Sequence, residues 1–253
     1  MNDNSDKLFV ARLSDLADEA RRTSVYAYSS FFLDERQCAV AEAWCRKNTG
    51  ELRYMLWGGF PDARRRMLAI YPDYCEDYVQ EDFPFVCLTF TYRRQDRLTH
   101  RDFLGSFMGM QLKRETVGDI VVSEGETQAF FTETAAKLIK ATVGKIGRTG
   151  VKVSDDHPFE LEVRQEYKKI IGTVASLRLD CIVSLAAHIS RENAAGLIRS
   201  DKVDVNHFTA SSISQEMHEG DVISVRGSGR YVLSAVSGLS GKGRIHVEVL
   251  KYI

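Results

Sequence analysis

The sequence predicts an α+β protein built from several small parts, and three observations lead there. Helix-like apolar spacing runs through the first fifty residues and returns over 179–198. Between 85 and 154, β-rich and helix-rich segments alternate as β-α-β-β-α-β. The last third reads as two short helices followed by small strands joined through glycine turns.

Taken in order, Leu8, Leu13, Leu16 and Ala20 set out a first helix. Residues 34–46 set out a second, rich in the helix formers Ala39, Ala41 and Ala43. Residues 51–57 read as a strand that Gly58-Gly59-Phe60-Pro61 breaks, with 67–71 returning as its hairpin partner. Arg64-Arg65-Arg66 is a compact basic cluster beside that loop, either a solvated turn or a phosphate contact. These segments make residues 1–84 an N-terminal helical and β domain.

Residues 85–92 are rich in β-formers. Thr99-His100-Arg101-Asp102 has the form of a capping box and starts a helix running to 110. Two strands, 119–122 and 127–132, flank Glu124-Gly125, and a helix over 134–146 leads to a last strand at 151–153. This is the split βαβ order of ferredoxin-like and RNA-recognition (RRM-like) folds, and it sets a central domain at 85–154. The aromatic signature of a true RNA-recognition motif is poorly matched by Thr127-Gln128-Ala129-Phe130-Phe131. On the helix drawn this way, Lys137, Lys140, Lys145 and Arg148 share one arc, a solvated face or a second phosphate-binding surface. Arg93, Arg94, Arg97 and Arg101 could extend it. Residues 155–175, opening Asp155-Asp156-His157-Pro158, read as a linker that becomes a leading strand.

In the last third, Leu179, Ile182, Val183 and Ala186 fall at i, i+3, i+4 and i+7, so one helix face is apolar. Ser190 suits the N-cap of a second helix whose inner stripe is Ala194, Leu197 and Ile198. Residues 202–205 then form a strand, and Gly227-Ser228-Gly229 supplies a tight turn between two more. Ser190 and Arg191 open a helix, where unpaired N–H groups and the helix dipole favour a phosphate. Arg178, Lys202, Arg226 and Arg230 recur at element ends, a cationic rim suited to an RNA backbone. Taken singly, these residues also suit caps, turns and solvated charges. Asp180 could pair with Arg178 or another base, and Asn206 could be a turn residue.

This ordered set resembles the S-four domain, the RNA-binding module named for a ribosomal small-subunit protein, across roughly 176–236. The resemblance implies a helix pair with a small β-sheet (the αL motif) in a domain at 176–253. It places the RNA-contacting surface on Arg178, Ser190, Arg191, Lys202, Asn206, Arg226 and Arg230. Further motifs extend the likeness over nearly the whole chain: Phe31-Phe32-Leu33-Asp34, Gly58-Gly59-Phe60, His100-Arg101-Asp102-Phe103-Leu104-Gly105 and Gly118-Asp119-Ile120. With them the chain resembles YlmH-type proteins, which carry the S-four domain at the C-terminus. That likeness implies a bacterial, non-enzymatic RNA-binding protein that meets ribosomal RNA and tRNA on a large ribosomal subunit holding an obstructed peptidyl-tRNA.

Composition narrows the classes without choosing a partner. With 44% apolar and 27% charged residues the chain has the balance of an ordinary globular protein, and no apolar run is long enough for a membrane span. Acids at the N-terminus, where a signal peptide carries bases, fit a cytoplasmic protein. A net charge of −1 gives no global pull toward nucleic acid, so RNA affinity has to come from local clusters; no DNA partner is expected. The five cysteines lack zinc-site spacing and read as buried thiols, and no cofactor or metal is expected. Arg178-Leu179-Asp180 is similar to a stretch in pseudouridine synthases, but here the Asp opens the RNA-binding helix itself. His100-Arg101-Asp102 lacks the other kinase motifs, and Gly238-Leu239-Ser240-Gly241-Lys242-Gly243 lacks phosphate-loop spacing. Two other functions stay open: an RNA-modifying enzyme that docks RNA through its C-terminal domain, and an interaction adaptor linked to cell division.

Overall fold

A computed structural model of the chain describes residues 3–78, 80, 82–163, 166–241 and 243–253. They divide into two compact units, Met1–Val163 and Arg164–Ile253. Several antiparallel sheets with packed helices make the protein α+β.

The first unit begins with α1 (Asp3–Thr23), β1 (Ala27–Tyr28), α2 (Glu35–Asn48), β2 (Leu52–Trp57) and β3 (Met67–Pro72). Its small sheet has the order β1-β3-β2. The buried stripe of α1 is Phe9, Leu13, Ala17 and Ala20; Leu8 faces outward, one position off the expected stripe. Asp34 and Gln37 close a capping box on α2, whose buried face includes both Cys38 and Cys45. Burial pushes those thiols up, to about 11 and about 12.

A 3-10 turn, Asp73–Tyr78, leads to β4 (Phe85–Thr91), α3 (His100–Gly109), the short 3-10 turn Arg114–Thr116, β5 (Val117–Ser123), β6 (Glu126–Thr132) and α4 (Glu133–Thr142). A small hairpin, β7 (Lys145–Ile146) with β8 (Thr149–Gly150), precedes β9 (Lys152–Ser154). The four main strands lie in the antiparallel order β5-β6-β4-β9. Thr99 and Asp102 form the expected capping box on α3. The helix expected to reach 146 instead stops at Thr142. Thr142, Val143 and Gly144 are poor helix continuers, and the chain turns into β7. Lys145 therefore lies on a strand and Arg148 in its turn, so the proposed four-cation helical arc does not form.

Both faces of this sheet are covered. Leu88, Phe90, Ala129 and Phe131 meet Phe103 and Phe107 of α3 and Ala135, Ala136 and Ile139 of α4. On the other face, Phe130 joins a core with Phe32, Phe60, Met67, Tyr71 and Phe83. Phe159 stacks on Phe60 with ring centres 4.7 Å apart. Two glycines permit this approach. A Cβ on Gly59, whose φ is +99°, would lie 2.0 Å from the Phe130 ring, and one on Gly118 would lie 2.8 Å from Phe32. The parts expected at 1–84 and 85–154 thus pack as one unit. The start of the expected linker joins them: buried Gln128 donates to Pro158 O at 2.9 Å and accepts from Glu160 N at 3.0 Å.

The second unit holds β10 (Tyr167–Val174), α5 (Leu179–Ala186), α6 (Arg191–Arg199), β11 (Val203–Val205), β12 (Phe208–Thr209), β13 (Val222–Val225), β14 (Gly229–Leu239) and β15 (Ile245–Tyr252). Its antiparallel sheet runs β10-β15-β14-β13-β11-β12. The expected apolar stripe of α5 is fully buried, and with Ala194 and Ile198 of α6 it packs on Ile170, Val203, Ile223, Leu233, Val247 and Val249. The helix pair is held to one face of the sheet by this core, which fixes both helix N-termini.

Candidate nucleic-acid interface

Asp180 is the centre of the arrangement. It lies in the first turn of α5, and its side chain is only 6% exposed. One oxygen accepts from Arg178 Nε at 3.1 Å; the other accepts from Arg191 Nη2 at 2.6 Å and Nε at 3.3 Å. Burial raises this carboxyl, but the hydrogen bonds from Arg191 and Arg178 outweigh it and hold the group below its ordinary range. The same bond raises Arg191. Both guanidinium groups stay about half exposed, so one buried carboxylate fixes two cations at the surface without removing them from solvent. Arg178 lines a cleft with Arg199, Ser211, Ser212 and Ser214, whereas Arg191 lines another with Arg244 and His188.

The two helix starts differ. At α5, the N–H groups of Leu179 and Asp180 donate to Gln215 O and Ile213 O, so its N-terminus is closed by the segment crossing it. At α6, the Ser190 hydroxyl accepts from Asn193 N at 3.2 Å, the expected cap. The N–H groups of Arg191 and Glu192 have no acceptor inside the helix, which is the geometry that receives an anion.

The remaining expected contacts fall elsewhere on the unit. Lys202 follows the far end of α6, where its N–H donates to Leu197 O; its own carbonyl accepts from Arg226 N at 2.9 Å. Lys202 and Arg226 are thus neighbours, both exposed, but at the end of α6 opposite Arg191. Asn206 has φ +48°, and its amide donates to Asp221 Oδ1 and accepts from Val222 N. That side chain fastens a turn. Arg230 lies over the Tyr252 ring at 4.9 Å.

In the first unit, Arg65 commits its donors to the carbonyls of Val117, Phe32 and Arg114. Arg114 shares the Val117 carbonyl, and burial with the neighbouring Arg65 charge pushes Arg114 down to about 10. Arg64 gives its N–H to Asp119. Arg66 pairs through its main chain with Leu33. This cluster pins three chain segments together. Lys140 pairs with Asp155, while Lys137, Lys145 and Arg148 are exposed. Sequence reasoning missed Arg244, whose Nη2 and Nε donate to Thr173 O and Oγ1 at 2.7 and 3.1 Å. Only the pairing of β10 with β15 brings those residues together, so no local motif marks them.

Among the described residues no group of His, Cys, Asp and Glu side chains is placed to hold a metal, and no helix is long and apolar enough to cross a membrane.

Comparison with known proteins adds a second line. Residues 79–160 match the family described as "Putative RNA-binding domain in YlmH". The chain is 30% identical over 220 residues to the ribosome-associated protein quality control protein P2 of Bacillus subtilis (strain 168), covering 85% of this chain and 84% of that one. The solved structure of the cell division protein ylmH from Streptococcus pneumoniae is similar in fold, with a TM-score of 0.52 at 18% identity. The match covers 62% of this chain and 94% of that one.

Proposed function

This chain belongs to the YlmH family, and from that premise we propose that it binds structured RNA without catalysis, through an S-four-type surface on its second unit. The observation that carries the reading is the buried Asp180 carboxylate holding Arg178 and Arg191 half exposed at the paired helix starts. A phosphate bound there meets two aimed guanidinium groups and the open N–H groups of α6. Such contacts read the shape and backbone of a folded RNA more than its base edges. In this reading the 85–154 strands form the ferredoxin-like plan, which their antiparallel β5-β6-β4-β9 order suits. Among the described residues both faces of that sheet are covered, so in this reading the RNA contact is placed mainly on the S-four surface.

The name of the Bacillus relative supports a place in ribosome-associated quality control. We place the RNA partner as ribosomal RNA and tRNA on the large subunit with obstructed peptidyl-tRNA. Sucrose-gradient sedimentation of gently lysed cells expressing the tagged chain tests this. The chain is expected to co-migrate with large subunits bearing tRNA, and an Arg191→Glu, Lys202→Glu variant to remain at the top. Wild-type migration at the top without RNA overturns the ribosomal reading.

A further inference from the structure

The cleft that Arg191 lines measures about 430 Å³ and lies wholly within the second unit. This is within the usual size range for small-ligand sites. Buried Val174 and Cys181, with partly buried Leu185 and Ile189, supply apolar walls. Its two guanidinium groups are anchored alike: Arg191 through Nε and Nη2 to Asp180, and Arg244 through Nε and Nη2 to Thr173. In each, Nη1 has no partner among the described residues, and both side chains are exposed. Among the described residues no carboxylate lines the cleft. A neighbouring cleft on this unit is lined by both Asp180 and Asp201.

We propose that this cleft receives one unstacked nucleobase of the bound RNA, with Arg191 and Arg244 holding the phosphates on either side of it. A bare phosphate would need only the cations. The apolar walls give a desolvated surface that suits the flat face of a base, and arginine planes stack on bases as well as bonding phosphate. Arg191 belongs both to this cleft and to the open start of α6. A backbone phosphate seated at that helix therefore puts the next nucleotide at the cleft mouth. The inference rests on the RNA-binding reading and adds to it: the preferred RNA has an unstacked nucleotide in a loop or bulge, and Arg244 is a contact residue.

The test uses the full chain and a stem-loop RNA with one 2-aminopurine in the loop and a fluorescein at its end. End-label anisotropy reports binding, and 2-aminopurine fluorescence reports the base environment. A duplex of the same sequence, free adenosine monophosphate and inorganic phosphate are the comparison ligands. The expected result is a 2-aminopurine change with the stem-loop and none with the duplex, with the small ligands competing poorly. Arg244→Glu is expected to weaken stem-loop binding about tenfold or more. Ala175→Trp fills the cleft at an exposed position without altering charge. It is expected to remove the 2-aminopurine change and the preference for stem-loop over duplex. If anisotropy shows wild-type binding while both variants bind and report as wild type does, the base pocket is overturned and RNA binding stands. If free nucleotide competes as well as RNA, the cleft is a mononucleotide site and the proposal fails. Absence of wild-type binding to any RNA overturns both readings.

Discussion

Asp180 shows how one buried carboxylate can fix two surface cations, Arg178 and Arg191, in direction. In the proposed RNA contact such a carboxylate lowers the local positive potential, yet it fixes the direction of two long side chains that would otherwise lose rotamer freedom on binding. Replacing it separates the two effects. Asp180→Asn is expected to weaken structured-RNA binding while leaving its salt dependence as steep, because the cations remain but are no longer aimed. It is also expected to lower stability by about 1–3 kcal/mol. The sign with pH follows from the depressed folded-state pKa of Asp180. Its stabilisation is fully present above the unfolded carboxyl value of about 3.9 and is lost as pH falls through the lower folded value. Thermal melts between neutral pH and pH of about 2 should therefore bring wild type and variant together only at the acid end; a constant gap would contradict the ion-pair role. At this scale the sequence was informative where chemistry is local. The caps Thr99 and Ser190 follow from spacing alone, whereas Asp34, expected as the first residue of its helix, caps that helix instead. The pairing of Asp180 with a basic neighbour was open in the sequence, but its sharing between Arg178 and Arg191 needs the helix pair folded.

Among the elements, the loop after β2 has the strictest requirements. Gly59 combines a positive φ with contact on the Phe130 ring, so any side chain there meets both backbone strain and a buried aromatic. Gly59→Ala is expected to destabilise the first unit by about 3 kcal/mol through overpacking and lost left-handed backbone freedom. Chemical denaturation checks this; a loss below about 1 kcal/mol would mean that the Phe130 side chain moves freely, contrary to the packing described. Element types were largely legible because each has a strong local period or breaker. Boundaries are less so: the helix expected over 134–146 runs past Thr142 because Val143 and Ile146 continue the apolar spacing. The two-residue strands of the β7–β8 hairpin end it instead. The Arg64-Arg65-Arg66 run also changed meaning once folded. Its middle residue serves the carbonyls of three other positions, a long-range use that no local pattern announces.

For the whole molecule, near-neutral net charge and RNA binding are compatible when cations are clustered locally, as Arg178 and Arg191 are around Asp180 in the second unit. The first unit has a β-α-β-β-α-β segment whose sheet is buried on both sides, by its own helices and by aromatic residues from the N-terminal part. Sequence order alone could suggest a free RNA-recognition sheet; only packing shows Phe60 and Phe159 against it. The C-terminal helix pair was more legible because its apolar stripes, cap and turns all agree over a short span. In the proposed function Asp180-held arginines supply the affinity, and the decisive measurement is structured-RNA binding of the full chain across a salt series, against an Arg178→Glu, Arg191→Glu variant. The expected result is an affinity loss of about a hundredfold or more, with the salt slope shallower by about one to two units. Unchanged affinity and slope in the folded variant would place the RNA contact elsewhere.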